Sequence, residues 1–96
     1  MARAQIVLGI PNPDDDRPGL YLHTPYDAEF VDRLKELPIA DRRWVRHEGA
    51  WWVHRDYLET IRAMTMDEWG SYELIDEDGA VETFSPGAHT RQERLL

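Results

Sequence analysis

The 96-residue chain has no cysteine, which rules out a disulfide framework, a thiolate nucleophile and a cysteine-based zinc site. It is almost without lysine: Lys35 stands alone against ten arginines, a ratio that a GC-rich genome produces without selection on function. Long hydrophobic runs are absent too. The apolar stretch Ile6-Val7-Leu8-Gly9-Ile10 is too short for the hydrophobic region of a signal peptide and far too short to span a bilayer, so no membrane association and a cytoplasmic location are expected. What is present is ordinary for a globular protein: 42% hydrophobic and 31% charged residues, with four Trp, four Tyr and two Phe. A chain of this length has room for one hydrophobic core, and the expected organisation is one α+β domain over 1–86 followed by a polar tail over 87–96.

The pattern of apolar residues gives the elements. Residues 3–10 read as a strand. The loop from Pro11 to Gly19 holds three prolines and three adjacent aspartates, and Leu20-Tyr21-Leu22-His23 is a second strand. Thr24-Pro25-Tyr26-Asp27 has helix-start chemistry, with Thr24 as cap and Pro25 in the first helical position. Tyr26, Phe30, Val31, Leu34 and Leu37 recur at helical spacing before Pro38. Arg42 to His54 predicts a hairpin turning at Glu48-Gly49, which would set Arg46 opposite Trp51, Trp44 opposite Val53 and Arg43 opposite His54. A second helix is expected from Asp56 to Met64, with a further short turn at Thr65-Met66-Asp67-Glu68, and a last hairpin from Ser71 to Phe84 turning at Asp78-Gly79. The order β-β-α-β-β-α-β-β, with short connections, predicts a mainly antiparallel sheet carrying two helices on one face.

The net charge of −8 opposes indiscriminate binding to nucleic acid, yet one segment reverses the sign. Between Arg42 and Arg55 stand four arginines, two histidines and three tryptophans against a single acid, Glu48. Arginine offers phosphate contacts and tryptophan a flat surface for an unpaired base. Alternation along the hairpin puts Trp44, Trp51 and Val53 on one face, where they read as core beneath the helices. Arg43, Trp52 and His54 fall on the other, where they read as contacts. The candidate nucleic-acid-binding residues are therefore Arg42, Arg43, Arg46, Trp52, His54 and Arg55.

The same region resembles a known family. Pro25-Tyr26, Val31, Leu34-Lys35, Leu37-Pro38, Arg42-Arg43-Trp44, Trp51, Val53 and Leu58 are similar to the HARP-type module, which occurs in annealing helicases that rewind DNA at stalled forks and in short bacterial and phage proteins. The resemblance covers about a third of the chain, over residues 25–58. The glycine that usually precedes the arginine pair is replaced, the segment reading Ile39-Ala40-Asp41. It implies a binding module for single-stranded or forked DNA, here without any motor domain.

Nothing marks catalysis. There is no glycine-rich phosphate loop and no nucleophile elbow. Asp14-Asp15-Asp16 lacks the spacing of a calcium loop, and His23, His47, His54 and His89 lack zinc-site spacing. A non-enzymatic protein without cofactor or metal is expected. The alternative to DNA binding is a small inhibitor or protein-binding module of the kind that phages encode. Its acidic clusters at Asp14–Asp16, Asp67-Glu68 and Asp76–Asp78 would then face a basic host protein by imitating a phosphate backbone.

Overall fold

The computed structural model describes residues 4–86 and 88–92. Its strands are β1 (Gln5–Pro11), β2 (Pro18–His23), β3 (Arg42–Val45), β4 (Ala50–His54), β5 (Tyr72–Ile75), β6 (Val81–Ser85) and β7 (Ala88–Gln92), and its helices are α1 (Ala28–Leu34) and α2 (Leu58–Trp69). All the strands join one sheet in the order β3-β4-β2-β1-β5-β6-β7. Every neighbouring pair is antiparallel except β1 and β5. These pairings make β4 and β5 run in the same direction, and α2 is the crossover that such a connection requires. Phe30 and Leu34 from α1 pack with Ile61 and Met64 from α2 onto Ile6, Leu20, Leu22 and Val53. Both helices thus cover the same face, as the sequence predicts.

Local chemistry moves several boundaries. The first helix starts three residues later than Thr24 suggests. Asp27 is the cap, its carboxylate accepting the Phe30 N–H at 2.9 Å, so Tyr26 lies outside the helix and outside its apolar stripe. The second helix is one continuous element and not a helix followed by a turn. Thr65 does not cap anything; it is buried, and its hydroxyl donates to the Ile61 carbonyl at 2.6 Å. The helix stops at Gly70, whose left-handed backbone (φ +72°) lets its N–H reach the Met66 carbonyl. The Asp78-Gly79 hairpin forms as expected, with the Asp76 carboxylate accepting from the N–H groups of Asp78 and Ala80. Within the span read as a polar tail, 88–92 pairs with β6 as an edge strand. Its sequence, Ala-His-Thr-Arg-Gln, has no apolar alternation to announce a strand. The rest of that span, residue 87 and 93–96, lies outside the described residues. Among the described residues no helix is long and apolar enough to cross a membrane.

Candidate nucleic-acid interface

The β3–β4 hairpin turns through four residues, Arg46 to Gly49, and not through two. Val45 pairs with Ala50, and the turn is closed by Glu48 N–H to the Val45 carbonyl and Gly49 N–H to that of Arg46. Trp44 therefore faces Trp51, and Arg43 faces Trp52. The shift is by an even number of residues, so each side chain keeps the face that alternation assigns to it. The degree of burial is another matter, and here the expectation is overturned.

Trp52, read from the sequence as a contact for an unpaired base, is fully buried at 0% exposure. Its indole lies flat against Gly19, where an added Cβ would sit 2.4 Å from the ring. The indole N–H donates to the Ile10 carbonyl at 2.8 Å, and the Arg17 guanidinium covers the ring at 5.7 Å from its centroid. No base can reach it. Trp44, read as core, is 49% exposed. It sits on the outermost strand of the sheet, and the seven-residue α1 does not close over it.

The arginines chosen from the sequence are mostly engaged. Arg42 donates from Nε to the Leu37 carbonyl and from Nη2 to that of Lys35. Arg43 pairs with Asp14, and Arg55 with Glu77 at 2.9 Å. His54 accepts the Asp56 N–H on Nδ1 and packs edge-on against Trp52. Arg17 holds this face together. It bonds Asp15, Asp41 and the Ala40 carbonyl, while the Tyr57 hydroxyl donates to Asp41. The Arg17 side-chain bond is the main reason that the Asp41 carboxyl is held below its usual range. For Asp15 the leading cause of the same shift is the bond from the Arg17 backbone N–H. Tyr57 is pushed up, by burial first and by its bond to Asp41 second. Of the six candidates, only Arg46 is without a partner among the described residues; it is exposed in the hairpin turn.

A different set of residues comes together on the helix side of the hairpin. Tyr26, Val31, Lys35, Trp44 and Trp51 line an apolar groove of about 340 Å³. A smaller cavity of about 80 Å³ shares Tyr26, Val31, Trp44 and Trp51 with it and is also lined by Leu22 and Gly49. Tyr26 is 85% exposed, and the Trp44 and Trp51 rings meet edge to face at 5.7 Å between centroids. Lys35 lies on the groove wall and Arg46 leaves the turn that Gly49 closes. Among the side chains described, those of residues 4–86, these two cations bond neither an acid nor a backbone carbonyl. The sequence hides this site because Tyr26 falls into helical register with α1. The signal that finds it is Asp27, a better cap than Thr24, which expels Tyr26 from the helix.

Among the described residues no group of three His, Asp or Glu is placed to hold a metal. Comparison of the chain with protein-family models, curated proteins and solved structures finds no match.

Proposed function

We propose that this protein is a non-enzymatic binding module for single-stranded or forked DNA, and that it binds through the Tyr26–Trp44 groove. The observation that carries the reading is the coincidence in one groove of two exposed aromatic side chains, Tyr26 and Trp44, with Lys35 on its wall; Arg46 stands in the turn of the same hairpin. Unpaired bases stack on such rings whatever their identity, each worth about 1–3 kcal/mol, while the cations meet the flanking phosphates. Duplex DNA has no free base faces to offer. The net charge of −8 is not decisive, since screening at physiological salt acts over about 8 Å and lets a local site outweigh remote carboxylates. The resemblance of residues 25–58 to the HARP-type module points the same way, with Tyr26, Lys35, Trp44 and Trp51 among the residues that carry it.

The alternative, an acidic surface imitating phosphates for a basic protein, is weakened by where the acids go. Asp14, Asp15, Asp67 and Glu77 are paired with Arg43, Arg17, Arg33 and Arg55, and Asp76 closes its own turn.

The test is a titration of fluorescent single-stranded, duplex and forked DNA at low and moderate salt, reading anisotropy and Trp emission together. Wild type binds the single strand and the fork in preference to duplex, with Trp quenching. Trp44→Ala weakens binding by about 1–3 kcal/mol, roughly 5- to 150-fold, and removes most of the quenching. Equal binding by wild type and Trp44→Ala, or no binding at low salt, overturns the proposal.

A further inference from the structure

On the opposite side of β3 from the groove, a polar cleft of about 400 Å³ separates the loop over 12–17 from the segment over 39–43. Arg17, Arg42 and Arg43 line it together with Asp14 and Asp15. Arg17 is a wall and not a ligand, because Nε, Nη1 and Nη2 are all committed to Asp15, Asp41 and Ala40. Arg42 is lining only, since its guanidinium is held by the Leu37 and Lys35 carbonyls and alternation puts it on the Trp44 face of β3. Arg43 has one partner, the Asp14 carboxylate, and both side chains are well exposed, at 44% and 67%.

We propose that this cleft is a phosphate-group site, with Arg43 as its ligand, and that Asp14 occupies it as an internal stand-in when no ligand is bound. An exposed one-to-one ion pair is weak, and a phosphate brings more charge and a geometry suited to two parallel N–H donors. The exchange requires no movement of the loop backbone. That backbone is fixed by Asn12, which is buried, accepts the Asp14 and Asp16 N–H groups on its side chain and carbonyl, and donates its own N–H to Arg17. Only the Asp14 side chain needs to turn into solvent. Resting on the DNA-binding reading above, the ligand is a phosphodiester of the strand whose bases stack at Trp44. Residues 43 and 44 point to opposite faces of the outermost strand, so such a strand crosses the sheet edge between the two sites.

The experiment compares Asp14→Asn with Asp16→Asn, which makes the same change in net charge at an exposed neighbour without an arginine partner among the described side chains. Affinity for a fluorescent oligothymidylate is measured by anisotropy, and inorganic phosphate and pyrophosphate are titrated while the arginine side-chain resonances are followed by NMR. Asp14→Asn tightens oligonucleotide binding about two- to fivefold relative to Asp16→Asn, and adding Arg43→Ala abolishes the gain. Equal effects of the two Asn variants overturn the proposal, even where Trp44→Ala shows the groove to be real. If no variant binds oligonucleotide but phosphate shifts the Arg43 resonance more strongly in Asp14→Asn, the cleft stands as a site for free phosphates and the groove reading falls. If neither ligand binds any variant, both fall.

Discussion

The two faces of the β3–β4 hairpin carry nearly the same residue types and end in opposite states. On one, Trp52 and Arg43 lie side by side, and the tryptophan is sealed while the arginine is neutralised. On the other, Trp44 and Trp51 lie side by side with Lys35 near them, and the aromatic surface is open. Residue type did not decide which tryptophan would be available. Position in the sheet did, together with the segment that happens to pass overhead. Trp52 is on β4, one strand in from the edge, under the Arg17 loop and against a glycine; Trp44 is on the edge strand.

The strongest way to break this comparison is to truncate both tryptophans in turn. Trp52→Ala removes a fully buried side chain and strands the Ile10 carbonyl, and should cost about 3–5 kcal/mol, a large part of the stability of a domain this size. Chemical denaturation measures it. Trp44→Ala loses an edge-to-face contact with Trp51 and some half-exposed surface, and should cost no more than about 1.5 kcal/mol. Equal costs for the two would show that the faces are not as different as described.

A smaller effect sharpens the same contrast through pH. Asp41 and Asp15 belong to the network over Trp52, and their carboxyls sit below the ordinary value of 3.8. A carboxyl lowered on folding stabilises the fold above its unfolded value, and that contribution is lost as pH falls through the lowered one. Asp41→Asn is therefore expected to be less stable than wild type at neutral pH, with the gap closing in acid. Glu68 behaves with the opposite sign. A hydrogen bond shared with the Asp27 carboxyl, followed by burial, raises its value above 4.5. Its stabilising contribution is present below that value and lost as pH rises through the raised one, so Glu68→Gln should be neutral or slightly stabilising at pH 7. Denaturation midpoints measured across pH 3–7 separate the two.

Much of the architecture is legible in the residues. The Asp78-Gly79 turn, the prolines that bound the first loop and the apolar spacing of Phe30, Leu34, Ile61 and Met64 specify hairpins and helices through local chemistry. The edge strand β7, which pairs with β6, is not legible, because the sequence over 88–92 shows no apolar alternation. The candidate site was legible in part. Arg42-Arg43-Trp44 through Arg55 marks the hairpin that borders the groove, but the structure buries Trp52 and leaves Trp44 half exposed, and neither Tyr26 nor Lys35 stands out for binding in the sequence.

By itself the sequence determined the α+β class, the two helices on one face and the face on which each hairpin residue lies, since these follow from periodicity and from turn and cap residues acting over a few positions. Only the tertiary structure decided which of those faces is covered. The bond from Trp52 to Ile10 spans 42 residues and the one from Arg17 to Asp41 spans 24. Alternation says where a side chain points, and burial depends on what distant chain segments meet it there.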